Sequence, residues 1–308
     1  MKKPSFTRPA LPPFIKRRGP GERARERPGR RGGWAVPLIP LLLALSALPV
    51  HAQRAVYSDR NGVPTWEVDP KFKHDVFTFA RVQYSSWGGR GGWGWGGRGG
   101  ARWATDYPAA ELNLAFRLQQ MTSMKVNPDA EVVQLAVDDL SQFPFLYIVE
   151  PGRLAFEDKE VDALRRHLLR GGFLMADDFW GDEQFDNFHQ EMSRVFPDRN
   201  YVELEIDHPI FHCVFDLKEK PQVPSIGHAV NGRSRGITWE EDKGPSARVP
   251  HYRAYFDDKG RMMVIMCYNT DLGDGWEREG ESEWYFREFA EKQAYPMAIN
   301  IIFYAMTH

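Results

Sequence analysis

Two adjacent carboxylates stand where the sequence is best suited to chemistry. Asp177 and Asp178 follow the apolar run 173–176 and precede a segment whose apolar residues have helical spacing. Neighbouring carboxylates repel one another, so one can keep its proton and act as a general acid while the other acts as a base or binds a cation. The structural alternative is that one caps the following helix and the other accepts hydrogen bonds from loop amides.

His208 is the candidate partner of these aspartates. His208 and His212 are four residues apart, so on a helix they would share one face, as metal ligands do. His208-Pro209 equally fits a turn at the end of a strand. We therefore predict no metal site and no cofactor, and we keep His208 as a candidate catalytic residue beside Asp177 or Asp178.

The stretch 87–103 is rich in glycine and tryptophan and predicts an irregular loop. Exposed tryptophans offer flat faces to a sugar ring, a membrane surface or a partner protein. The alternative is an insertion whose rings fold back on the domain. The candidate ligand-binding residues are Trp93, Trp95, Asp177, Asp178, Trp180 and His208.

The elements that must position these residues alternate between strand and helix. Strands are predicted over 76–84, 131–135, 145–149, 173–176, 201–205 and 261–268, and helices from the Asp106 cap to about 122, then over 157–170, 185–196 and 290–306. Such alternation indicates a mainly parallel sheet with helices on both faces. Ligands of these sheets bind beyond the carboxyl ends of the strands, where Asp177 and Asp178 are expected.

Two stretches lack such patterns. Residues 216–258 are rich in Gly, Pro and charge and are predicted to be irregular, and 269–283 is predicted to be a polar loop. Within that loop, 271–275 imitates part of a calcium-binding loop but lacks its full spacing. We interpret 271–275 as an ordinary turn.

The first 52 residues have the pattern of a signal peptide. Residues 1–33 are strongly basic, 34–49 are almost wholly apolar, and small residues end the segment at Ala52. An uncleaved membrane anchor is the alternative. The leader holds 11 of the 40 Lys and Arg but two of the 42 Asp and Glu, so the remainder has a net charge of −11, which argues against nucleic-acid binding.

The predicted organisation is therefore a signal peptide over 1–52, an extended arm over 53–75 and one α/β domain over 76–308. An exported protein of this kind would be periplasmic or extracellular.

The chain has two cysteines, Cys213 and Cys267, without metal-binding spacing. Export would permit a disulfide between them, and the alternative is that both are small buried apolar residues.

Six stretches together resemble domain-of-unknown-function family 4159. They read F-A-R-V-Q-Y at 79–84, D-Y-P at 106–108, L-R-R at 164–166 leading to G-G-F-L at 171–174, D-D-F-W-G at 177–181, D-H-P-I-F at 207–211 and Y-A-M-T-H at 304–308. The resemblance covers roughly 74–308. It implies an open three-layer α/β/α fold that is flavodoxin-like or class I glutamine amidotransferase-like, and no established activity.

Amidotransferases of that fold carry a nucleophilic cysteine on the turn that corresponds here to Ala176-Asp177-Asp178-Phe179. Because neither cysteine lies on this turn, no thiol chemistry is predicted. Two functions remain open. One is a non-catalytic exported module that binds a glycan or an envelope protein and that could also touch a membrane surface through the 87–103 loop. The other is a hydrolase that uses Asp177 or Asp178 with His208.

Overall fold

The computed structural model describes residues 60, 62–72, 75–86 and 102–308. The leader over 1–52 and residues 87–101 of the glycine- and tryptophan-rich stretch lie outside the described residues, so the interpretations of those segments stay predictions. Across the described ranges, no helix has both the length and the apolar character needed to span a bilayer.

Seven strands form one sheet in the order β2-β1-β3-β4-β7-β6-β5. They are β1 Ala80–Val82, β2 Glu131–Val133, β3 Phe145–Val149, β4 Phe173–Phe179, β5 Val202–Glu203, β6 His251–Phe256 and β7 Met262–Tyr268. The strands from β2 to β7 in this order pair in parallel, whereas β6 pairs antiparallel with both of its neighbours. The predicted mainly parallel α/β sheet is confirmed.

Helices cover both faces of the sheet. They are α1 Ala109–Met121, α2 Asp158–Leu169, α3 Gly181–Val195, α4 Ile226–Gly232, α5 Leu272–Glu277, α6 Glu283–Tyr285 and α7 Tyr295–Thr307, and a π-helical segment over Phe286–Ala294 joins α6 to α7. Alternate residues of β3 enter different cores: Tyr147 packs with the layer of α1 and α7, and Ile148 with the layer of α2 and α3. Three layers result, as predicted.

Some local predictions were wrong. Residues 216–258 contain α4 and β6, and the predicted loop 269–283 contains α5. Long-range partners stabilise two of these three elements, since β6 pairs with β7 along its length and the α5 amide of Gly273 donates to Asp177. Composition is a poor guide where such partners supply the stability.

The predicted cap of α1 was also wrong. The residue before α1 is Pro108, which makes no side-chain cap. Asp106 lies further upstream in a left-handed conformation, and only its backbone carbonyl accepts from the first helical turn, at Ala110. The Asp106 carboxylate is therefore available for another role.

Candidate functional site

The carboxyl ends of the parallel strands carry the most constrained backbone of the described chain. Its non-glycine residues with positive φ are Asp106 at 63°, Glu150 at 47°, Asp178 at 58° and Asn269 at 60°. Glu150 follows β3, Asp178 lies near the end of β4, and Asn269 follows β7. Such conformations cost on the order of 1–3 kcal/mol each and tend to cluster at functional sites. We call this region the carboxyl edge.

Asp177 points into the protein at this edge and has no exposed surface. Its Oδ2 accepts hydrogen bonds from Tyr147 Oη at 3.1 Å and from the Gly273 amide at 2.9 Å, while Oδ1 has no partner. Burial raises the pKa of Asp177 to about 7, although these hydrogen bonds lower it. Asp177 thus accepts from an amide at the start of α5. It does not cap α3, the helix that follows its own strand.

Asp178 faces different partners. Its Oδ1 accepts from Trp180 Nε1 at 3.0 Å, and burial together with the nearby charges of Glu150 and Glu240 raises its pKa well above the usual range. Trp180 is 2% exposed, so it orients Asp178 and offers little ring surface to a ligand. The two aspartates are splayed and do not converge on one proton.

The structure does not bring His208 to these aspartates. Its ring lies 5.5 Å from that of Tyr304 and 6.4 Å from that of Phe256, measured between centroids. Phe256 pairs with Met262 at the start of β7, which is the opposite edge of the sheet. The chain turns back after β5 through a hydrogen bond from the His208 amide to Glu205, and this turn carries the imidazole away from the carboxyl edge.

An imidazole that sequence reasoning set aside lies closer. His228 Nδ1 is 2.8 Å from Ser225 Oγ and 3.2 Å from a Glu240 oxygen, and its Nε2 is 2.9 Å from Asp242. Its hydrogen bond to Glu240 is the main cause that raises the pKa of His228. An imidazole between two carboxylates is held in its protonated form, so it is poorly suited to act as a base.

Sequence reasoning also missed a carboxylate cluster around α5. Asp271 caps this helix by accepting from the Asp274 amide at 2.8 Å. Asp106, Asp274 and Glu277 each present a carboxylate oxygen within 4.8 Å of the other two. The sequence signal that could have revealed this cluster was the D-L-G-D-G run at 271–275. Its acids and glycines are compatible with the first turn of a helix as well as with an ordinary turn.

Acids outweigh their cationic partners here. Burial raises the pKa values of Asp106 and Asp271 well above normal and that of Glu277 to about 7. Arg278 pairs with Asp274 at 3.0 Å and with Glu277 at 2.7 Å, so it compensates part of the charge. The negative charge that Arg278 does not compensate favours bound protons, a cation or a ligand with hydrogen-bond donors.

Both cysteines are free thiols, and only Cys267 is buried, so the interpretation of both as buried apolar residues was wrong for Cys213, which is exposed. Desolvation of the sulfur atom raises the pKa of Cys213 and that of Cys267, and the nearby Asp177 carboxylate raises the latter further. These shifts oppose thiolate formation.

The chain belongs to the family described as a domain of unknown function, DUF4159, which matches residues 78–306. The family predicted from the six stretches is thereby confirmed. A search among curated proteins found no match. The description of the family includes no activity, so a function must be argued from the carboxyl edge itself.

Proposed function

We propose that this chain is a non-catalytic binding module whose ligand contacts the carboxyl edge beside Asp178 and α5. The observation that carries the proposal is the set of buried carboxylates with unpartnered oxygens in that region, among them Asp177 Oδ1 and Asp106 Oδ2. Buried acids without partners destabilise a fold, and proteins retain such groups where a site uses them. The left-handed conformations of Asp106 and Asp178 add to the same cost.

The sheet topology supports this position. β1 pairs with β2 on one side and with β3 on the other, so the connections diverge at the carboxyl ends of β1 and β3. Ligands of open α/β sheets bind at such a divergence. Glu150 follows β3 there and pairs with Arg102 at 2.8 Å.

The glycine- and tryptophan-rich stretch starts and ends at this edge. It follows β1, and it leads to Arg102 and Trp103, whose carbonyl accepts from Arg81 on β1 at 3.0 Å. Trp93 and Trp95 lie in the part outside the described residues. We propose that their rings contribute flat faces to the same ligand.

The chemistry of the edge narrows the ligand class. Carboxyl groups beside aromatic rings suit a glycan, whose hydroxyls donate hydrogen bonds and whose ring faces stack on tryptophan. A protein partner in the envelope would need a basic contact surface. Export itself rests on the leader pattern of residues 1–52.

The hydrolase alternative draws on one observation, the Asp177 pKa of about 7, which suits a general acid or base at neutral pH. Against it, Asp177 has no exposed surface and Asp178 hydrogen-bonds to Trp180. A hydrolase needs an acid and a base that both reach the substrate, so binding is the better-supported function.

A thermal-shift screen of the full chain against oligosaccharides and basic peptides tests the proposal, because a ligand of the native state raises its stability. We expect a compound that raises the melting temperature of wild type and of Asp258→Asn but not of Asp178→Asn. Asp258 is a matched control because it is 91% exposed beside Arg199 at the opposite edge. An undiminished shift in Asp178→Asn would remove this residue from the site.

The tryptophan contribution has its own test. The double variant Trp93→Ala with Trp95→Ala should weaken binding of that compound and leave the melting temperature of the free protein nearly unchanged. A large loss of stability with unaltered binding would show instead that the rings belong to the core.

A further inference from the structure

We propose that Asp106, Asp274 and Glu277 bind a hard divalent cation at the carboxyl edge. This inference rests on the proposed function, since it supplies a ligand for the same edge. It differs from our sequence-based expectation of no metal, because only the fold brings these three residues together.

The geometry suits a single ion. One oxygen from each carboxylate lies within 4.8 Å of the other two. Calcium binds carboxylate oxygens at about 2.3–2.6 Å, so an ion between the three oxygens could reach all of them with small side-chain movements. Asp274 is 3% exposed and is held in place by the Ile226 amide at 2.6 Å, so one ligand is already fixed.

A second observation points to a missing partner. Asp106 Oδ2 is a buried atom that accepts no hydrogen bond, whereas Glu277 Oε2 pairs with Arg278 Nε at 2.7 Å. Asp106 Oδ2 also lies 3.0 Å from the place where a Cβ on Gly273 would be, so glycine keeps this space open. Buried polar atoms are nearly always satisfied, and a ligand in this space would satisfy the orphaned Asp106 oxygen.

The local charges agree with a cation. Arg278 pairs with both Asp274 and Glu277 and so neutralises part of their charge. Arg81 is committed to Glu111 at 2.5 Å, with both side chains fully buried.

The donor set selects among metals. Three carboxylates favour Ca²⁺, Mg²⁺ or Mn²⁺ over softer ions that prefer imidazole or thiolate. The group formed by His228, Glu240 and Asp242 is also close enough to hold an ion. Both ring nitrogens of His228 already contact carboxylate oxygens, so the protonated ring lacks a free lone pair for a metal. That group is therefore a suitable control.

Isothermal titration calorimetry of the chelator-treated full chain with CaCl₂, MgCl₂ and MnCl₂ tests the proposal. The variants are Asp106→Asn and Glu277→Gln, because Asn tolerates the left-handed backbone of residue 106 and Glu277 lies on the surface side of α5. Asp274→Asn is avoided because Asp274 also binds Ile226 and Arg278. Far-UV circular dichroism checks that each variant is folded.

We expect saturable binding of at least one of these ions by wild type and by the control Asp242→Asn, with at least tenfold weaker binding in Asp106→Asn and in Glu277→Gln. Wild type that binds none of the three ions would overturn the inference, and so would equal affinity in all the variants. If no ion binds but an oligosaccharide still stabilises wild type and not Asp178→Asn, the cation inference fails while the proposed function stands.

Discussion

The two ends of the parallel strands, the carboxyl edge and the opposite end that we call the amino edge, differ in how their buried polar atoms are satisfied. At the amino edge, the end of α2 is closed by Arg261, which donates to the carbonyls of Leu168 at 2.5 Å and Gly172 at 3.0 Å. Two buried atoms in the described part of that edge lack a hydrogen-bond partner: His167 Nε2, in a ring that burial keeps neutral by lowering its pKa to about 4, and Arg199 Nε, in a guanidinium that pairs with Asp198 and Asp258. At the carboxyl edge, the unpartnered atoms of Asp106 and Asp177 belong to acids. A neutral ring and an ion-paired guanidinium are less costly to bury than an acid without a cationic partner, so the carboxyl edge calls for a functional explanation.

The size of a groove, taken alone, would have placed the candidate site at the amino edge. A groove of about 550 Å³ runs along α2 to the glycine pair, lined in part by Arg166, His167 and Arg170. Arg170 and Gly171 are exposed there, and the groove contains no buried acid. We favour the carboxyl edge because chemistry distinguishes a site better than volume does.

The largest expected difference between the edges concerns their arginines. Arg81→Met should lower the free energy of unfolding by about 3–5 kcal/mol, because it strands the buried charge of Glu111. Arg261→Met should cost about 1–2 kcal/mol, since its side chain is partly exposed and water can replace its contacts. Urea denaturation measures both. Equal losses would contradict the comparison, whereas adding Glu111→Leu to Arg81→Met should recover part of the loss.

Asp177 should make stability depend on pH. Its pKa is about 7 in the folded protein and 3.8 ordinarily, so the folded state holds the proton more tightly. Stability should therefore fall as the pH rises from about 4 to about 7 and then level off. Asp177→Asn should remove this contribution and be more stable than wild type at pH 8 by about 4 kcal/mol. Parallel pH profiles for the two proteins, measured in chelator, would exclude the titration of Asp177.

At the amino edge, a smaller effect is expected from Gly172→Ala. An added Cβ would lie 2.2 Å from His167 Nε2, so the imidazole must move, at a cost of about 1–3 kcal/mol. Gly227→Ala in α4 is the control, because its Cβ would meet nothing within 4 Å. Thermal unfolding compares the two. A neutral Gly172→Ala would mean that the His167 ring is free to move.

The smallest effect is expected for His208→Ala. Its Nδ1 accepts from the Ile210 amide at 3.2 Å, so stability should fall by about 1 kcal/mol. The shift caused by a ligand of the carboxyl edge should be unchanged, because His208 lies at the other edge. Loss of that shift in a folded variant would restore His208 to the site.

The sequence alone was enough to predict the helices and strands that have a clear local pattern of apolar residues. The apolar runs of β3, β4 and β7 and the amphipathic spacing of α3 placed Asp177 and Asp178 at the carboxyl edge. It could not reveal α5, a six-residue helix with two glycines, because the Gly273 amide finds its acceptor 96 residues away at Asp177. For the same reason, the meeting of Asp106 with Asp274 required the sheet order.

The direction of the chain after β5 was equally hidden. Asp207-His208-Pro209 fits a turn at a strand end, but nothing local says towards which edge the turn leads. The packing of His208 on Tyr304 of α7 decides this, and that contact joins residues far apart in the chain.

Hydrogen–deuterium exchange of the full chain, with and without a compound or cation that raises its melting temperature, tests the central claim most directly. We expect slower exchange in residues 102–107, 176–182 and 268–278 at the carboxyl edge, with residues 166–172 and 206–212 unchanged. Slower exchange confined to residues 166–172 and 206–212 would place the ligand at the amino edge instead and rule out a site at the carboxyl edge.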